Sequence, residues 1–304
     1  MFHKGGVMKN FKIVLNSIAL LTLIFMLASC SHSDNSNRGP FNTAFLPYAV
    51  TDSGGGYGSF TFDGSGNLLF TVNDIDEIRL MDRNTGAVST VATGVSGGHT
   101  LTGMVYYNSL IYVGDDNGDI FEVDPSTGTS TLVVTITGEN VNGLAVAPSS
   151  FGAYGGQLIV ATDAGSIWAV DQSAASPTPV LVGGLGATSA SALVFGSDGT
   201  LYVAAYNDGA IVTVTAAGLV TNFATGLSRP DGLAIDDNGG YLYVADSGDN
   251  TLKSVTVPGG VVSTIASVDF AGGFWPSPII FDSTSNIVLF GYGEASLTID
   301  YYSF

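Results

Sequence analysis

Residues 229–267 (RPDGLAIDDNGGYLYVADSGDNTLKSVTVPGGVVSTIAS) divide into four short apolar runs separated by turn chemistry. The breaks are Asp236-Asp237-Asn238-Gly239-Gly240, Ser247-Gly248-Asp249-Asn250 and Pro258-Gly259-Gly260. Gly, Asn and Asp tolerate the positive φ of tight hairpins, so each run reads as one strand of an antiparallel sheet. The pattern recurs along most of the chain. A second-strand run appears as LLFTV from Leu68, LIYVG from Leu110, LIVAT from Leu158, LYVAA from Leu201, LYVAD from Leu242 and IVLFG from Ile287. Third strands follow from Ile78, Ile120, Ile167, Ile211, Leu252 and Leu297, spaced about 41 to 47 residues apart, the period of a propeller blade.

One such repeat cannot bury both faces of a small sheet, so copies must stack, and a closed ring leaves no terminal blade uncovered. The sequence therefore predicts an all-β chain forming a six-bladed β-propeller of four-stranded antiparallel blades, and a monomer. The near-continuous apolar second strands suit sheets packed on both sides. Five repeats own a fourth strand, but the sixth stops at Phe304 after its third. Residues 41–50 (FNTAFLPYAV) form an extended segment with no partner of their own. That segment is expected to close the ring as the outer strand of blade six. Pro47 suits such an edge, where a missing N–H is tolerated.

Before the repeats lies a targeting segment. Lys9 and Lys12 precede a mostly apolar run over residues 13–26, and Leu27-Ala28-Ser29-Cys30 ends it. On residue pattern alone this is an export signal or a membrane anchor. Leu-Ala-Ser-Cys also resembles the lipobox of bacterial lipoproteins, which implies that Cys30 is lipidated and becomes the new N-terminus. Cys30 is the only cysteine, so no disulfide competes for it. The resemblance also makes Met8 a plausible start in place of Met1. Ser31 stands where enterobacterial lipoproteins kept at the inner membrane carry Asp, which points to the outer membrane. The expected domains are a signal peptide over 1–29, a lipidated cysteine and flexible tether over 30–40, and the propeller over 41–304. Three of the eight basic residues precede Cys30, so cleavage there takes the formal charge from −18 to −21. A surface this acidic repels phosphate backbones, and nucleic acid is not an expected partner.

The turns between second and third strands share one face with the loops leading into the first strands. That face collects Asp74, Asp76, Glu77, Asp115, Asp116, Asp119, Asp163, Asp208, Asp246, Asp249 and Glu294. Asp, Asn and Gly are what β-turns use, and Asp115-Asp116-Asn117-Gly118-Asp119 lacks the spacing and closing Glu of an EF-hand. PDGLAIDDNGGYLYVADSGDNTLKSVT resembles an NHL repeat, and the whole layout is similar to the NHL and regucalcin/gluconolactonase propellers. The resemblance implies calcium held at one mouth of the channel by a Glu, two Asn and an Asp at the start of inner strands. Asn142 and Asp231 match two of those positions. Ser191 occupies a third, and the first-blade position falls near Tyr57 and Gly58 with no Glu beside it. Two of four ligands are absent, so calcium would be held weakly unless Glu139 joined Asp231 and Asn142. His99, the only histidine after the tether, lies in the loop leading into blade two. Streptogramin lyases, similar propellers, need a catalytic histidine that no motif here reproduces. The two functional readings are a ligand- or protein-binding module on a lipid anchor in the cell envelope, and a metal-dependent lactonase or related hydrolase.

Overall fold

A computed structural model describes residues 40–50, 58–72, 75–236, 238–268, 270, 277–292 and 298–304. Cys30, Tyr57, Asp74, Trp275, Glu294 and Leu297 lie outside those residues. Six four-stranded antiparallel sheets form the molecule. Blade one holds β2 (Phe60–Phe62), β3 (Leu68–Val72), β4 (Glu77–Met81) and β5 (Val88–Thr93). Blade two holds β6 (Leu101–Tyr107), β7 (Leu110–Asp115), β8 (Asp119–Asp124) and β9 (Thr129–Thr135). β10 (Val141–Val146), β11 (Leu158–Thr162), β12 (Ser166–Val170) and β13 (Val180–Gly184) make blade three. β14 (Ala190–Phe195), β15 (Leu201–Ala205), β16 (Ala210–Val214) and β17 (Val220–Thr225) make blade four. Blade five is β18 (Pro230–Ile235), β19 (Tyr241–Asp246), β20 (Thr251–Thr256) and β21 (Val262–Ser267). Blade six takes β22 (Ile279–Asp282), β23 (Ile287–Tyr292) and β24 (Thr298–Ser303), and borrows β1 (Tyr48–Ala49) from the other end of the chain.

The inner strands β2, β6, β10, β14, β18 and β22 touch one another in that order, and β22 returns to β2. The apolar patterning explains why. β3, β11 and β15 are buried along their whole length, as a sheet sandwiched between two others requires, whereas outer strands such as β5 and β17 are largely exposed. Among the described residues the buried side chains fall into six clusters, one at each interface between blades. Within one strand the faces alternate: Leu242 and Val244 pack toward blade four, Tyr243 and Ala245 toward blade six.

The seam between blades six and one is closed as the orphan segment predicts. Tyr48 pairs with Ile299 and Ala49 with Thr298, and Pro47 immediately precedes the paired stretch. Residues 41–46 cross the seam below. The Phe41 N–H donates to Ser285 Oγ at 2.5 Å on blade six. Asn42 N donates to the Arg83 carbonyl at 2.8 Å on blade one. Arg83 itself reaches across to Asp282 at 3.1 Å, both side chains being buried. The Phe41 ring lies 5.9 Å from the Arg83 guanidinium carbon. Gly86 has φ +70°, and a Cβ there would sit 2.4 Å from the Phe45 ring. Only glycine serves both demands.

Candidate functional site

Four of the six inner strands, β6, β10, β14 and β18, start with a β-bulge at the upper mouth of the central channel, the face that carries the second-to-third-strand turns. The register shifts between Leu101 and Met104, Val141 and Gly143, Ala190 and Ala192, and Pro230 and Gly232. The residues so displaced are Thr102, Asn142, Ser191 and Asp231. A bulge re-aims its side chain out of the pleat. Here it is aimed at the start of the next blade. Thr102 donates to the Val141 carbonyl. Asn142 Nδ2 donates to the Ala190 carbonyl at 3.1 Å and to Ser189 Oγ at 3.2 Å. Ser191 Oγ donates to the Pro230 carbonyl at 2.7 Å. Asp231 has no proton to give as a carboxylate, so the polarity reverses: Oδ2 accepts the Ser277 N–H at 3.0 Å and its hydroxyl at 2.7 Å.

The residue after each bulge is small because the backbones converge there. A Cβ on Gly103 would lie 2.6 Å from Gly143 Cα, and one on Gly232 would lie 2.1 Å from the Ser277 carbonyl oxygen. At this ring the channel holds a small pocket of about 90 Å³. One apolar side chain from each blade lines it: Phe60, Met104, Leu144, Leu193, Leu233 and Ile279. Asn142, Ser191, Ser59 and Ser277 supply its polar edge.

Sequence reasoning placed Asn142, Ser191 and Asp231 at equivalent positions, and the structure brings all three into this ring. It does not bring in the other two. Glu139 accepts hydrogen bonds from Thr162 Oγ1 at 2.6 Å, Trp168 Nε1 at 3.0 Å and Ser166 Oγ at 3.0 Å, all within blade three. His99 is half-exposed, with Nδ1 3.3 Å from Asp116. Neither borders the pocket at the ring, and Asp231 itself is buried behind its lining against Ser277. Thr102 and Ser277 were missed; the signal was a small polar residue followed by Gly, Ala or Pro at the start of successive repeats. The acidic turns cap loops. Asp76 receives Ser96 N and Gly98 N, Asp163 receives Asn140 N, and Asp246 receives Ser228 N and Arg229 N. In the metal-like run, Asp115 Oδ1 accepts from Asn117 N and Asp119 N, an ordinary Asx turn.

One carboxylate stands apart. Asp231 is 1 % exposed, and its Oδ1 is buried without a hydrogen-bond partner. Burial pushes its carboxyl up to about 7; the Ser277 hydrogen bonds pull the other way, and the Asp246 charge adds to the rise. Between about pH 4 and pH 7 the folded chain therefore holds a proton that the unfolded chain releases, and stability falls as pH rises through that window. Asp231→Asn should unfold with the parent near pH 4. Above pH 7 it should be the more stable by up to about 4 kcal/mol, following the roughly three-unit rise. Thermal melts across pH check this; a difference independent of pH would show that Asp231 is already ionised.

Calcium wants six to eight oxygens, preferably with more than one carboxylate. Among the described residues no three His, Cys, Asp or Glu side chains are grouped to hold a metal. Asn142 turns its amide nitrogen to blade four, Ser191 bonds blade five, and Asp231 offers one free oxygen. This donor set does not fit calcium.

No family model and no curated protein matches the sequence. Solved structures match the fold. A virginiamycin B lyase from Staphylococcus aureus is 16 % identical over 79 % of each chain, with a TM-score of 0.59. A gluconolactonase from Xanthomonas campestris is 15 % identical over 84 % of this chain and 89 % of its own, with a TM-score of 0.63. An auxiliary nutrient binding protein from Bacteroides thetaiotaomicron is 17 % identical over 87 % of this chain and 75 % of its own, also at 0.63. The chain is a six-bladed β-propeller of the layout that lactonase, lyase and nutrient-binding proteins share. At these identities the likeness is one of fold.

Proposed function

We propose that this protein is a cell-envelope lipoprotein, anchored through Cys30 to the outer membrane, whose propeller binds a small ligand or a protein at the upper channel mouth. The observation that carries the binding reading is the ring itself. The side chains at the positions where lactonases hold metal are engaged in bonds between blades, around a small, largely polar pocket of about 90 Å³. A pocket this small takes one polar group of a ligand or partner seated across the mouth and does not enclose a whole small molecule. The neighbour described as an auxiliary nutrient binding protein supports the same role. Nucleic acid remains an excluded partner in this reading. Of the four described basic residues, Arg79, Arg83 and Lys253 are already ion-paired, leaving almost no cation for phosphate.

The hydrolase reading draws on one feature, the Asp231 carboxyl at the ring, which burial pushes up to about 7, in the range a general base uses. Calcium titration and a lactone hydrolysis assay separate the two. The binding reading expects no saturable calcium uptake at micromolar concentration and no turnover. Uptake and turnover that both vanish in Asp231→Ala would overturn it. The anchor is tested by Cys30→Ala, which should lose the lipid mass and leave the membrane fraction; unchanged mass and fractionation would contradict it.

A further inference from the structure

The described chain begins at Pro40, and its first contacts fix the face from which the tether leaves. Phe41 and Asn42 bond Ser285, in the turn between β22 and β23, and Arg83 and Asn84, in the turn between β4 and β5. In a blade whose inner strand runs downward from the upper mouth, both turns lie on the lower face. The tether therefore leaves below, opposite the ring of Thr102, Asn142, Ser191 and Asp231. Only residues 31–39 separate Pro40 from Cys30, a reach of about 30 Å when fully extended.

A second observation comes from exposed apolar surface. Eight large apolar side chains of the described residues are exposed. Ile75 is in an upper turn and Leu132 is midway along an outer strand. The other six are all at the lower ends of their strands or in lower turns: Val180 and Leu181 on blade three, Leu219 on blade four, Tyr241 and Val261 on blade five, and Phe304 on blade six. Leu219 and Val261 are 64 % and 60 % exposed. Aromatic stacking joins the last of them, with Tyr243 lying 6.4 Å from Tyr241 and 4.9 Å from Phe304. The arc runs over four consecutive blades and ends beside the tether. Solvated turns have no use for so one-sided a distribution, whereas an interface with lipid headgroups does.

We infer that the lower face of the propeller is turned to the bilayer that holds the anchor, the apolar arc resting at its headgroup surface, so that the channel mouth opens away from the membrane. The inference rests on the anchor proposed above. Asp63, Asp82, Asp171 and Asp198 lie in turns of the same face, which selects a zwitterionic lipid surface over an anionic one.

The test uses the full acylated chain, in which Cys30 is blocked and one introduced cysteine is the only free thiol. Leu219→Cys reports the lower face of blade four and Asp208→Cys its upper face. Each is labelled with a fluorophore and reconstituted into phosphatidylcholine vesicles containing a lipid-borne quencher. Quenching several-fold stronger at Leu219→Cys than at Asp208→Cys is expected. Equal or reversed quenching on vesicle-bound, acylated protein overturns the orientation and leaves the anchor standing. Absence of acyl mass on Cys30 overturns the anchor and the orientation together. Adding Leu181→Asp and Val261→Asp to Leu219→Cys should lower its quenching several-fold while the protein stays bound; unchanged quenching removes the arc from the contact.

Discussion

A chain beginning at Gly54 should be insoluble, or should melt far below one beginning at Gly39, which should behave as the full mature domain. The fifteen residues lost, 39–53, are not a decorative tail. Phe41 and Val50 are almost wholly buried in the cluster between blades six and one, beside Phe60, Phe70, Leu289 and Ile299. Removing two such side chains forfeits about 3 to 6 kcal/mol of apolar burial. β24 would then become an exposed edge, a template for pairing with another chain. Ser285 would lose its Phe41 N–H, and the Arg83–Asp282 pair would lose the aromatic roof that keeps water off it. The sum approaches the whole net stability of a domain, about 5 to 15 kcal/mol. Equal melting temperatures for the two chains would mean that the ring has another seam. A milder version is Arg83→Ala, which strands a buried Asp282 and should cost about 3 to 5 kcal/mol.

This closure was legible because it is an accounting problem along one dimension. Five repeats with four strands and a sixth with three leave one strand owing, and residues 41–50 form an apolar segment after the tether that belongs to no repeat. The strand runs were legible for a similar reason, since turn residues and apolar alternation are local. The site was legible only as a set of equivalent positions. Asn142, Ser191 and Asp231 could be aligned by their place before Leu144, Leu193 and Leu233, but what they do depends on partners about one blade away in sequence. Asp231 meets Ser277 only after the ring has formed. Glu139 shows the opposite case. It is three residues from Asn142, near enough to suggest a shared ligand, yet Thr162, Ser166 and Trp168 of its own blade claim both carboxylate oxygens. Proximity in sequence favoured one partner, and the hydrogen-bond donors inside blade three decided for another. The lower-face arc was invisible because Leu219 and Val261 lie in separate turns and Phe304 follows β24, each an unremarkable apolar residue until the blades align them.

Val203→Asp should destabilise the protein by roughly 4 kcal/mol or more, the lost burial of valine adding to the cost of an unpaired buried polar group. Val203 is fully buried in β15, opposite Leu193 on one side and Val212 on the other, within the cluster between blades three and four. A carboxylate there meets no donor and must either stay protonated or open the interface. Val244 is its counterpart in β19, equally buried and opposite Leu233. Its neighbour on the other side is Lys253. The Lys253 ammonium sits 2.6 Å from both Asp246 and Asp249 in a nearly closed pocket, so a carboxylate at 244 would join one cation already shared by two carboxylates, a net negative cluster that one at 203 lacks. Val244→Asp should therefore cost measurably more than Val203→Asp, and adding Asp249→Asn should shrink the difference. Urea unfolding of the three variants and the parent measures this directly. If the two aspartates cost the same, cross-strand charge does not set the tolerance of these interfaces. If Val203→Asp melts with the parent, the middle strand is not packed on both faces and the blade register is wrong.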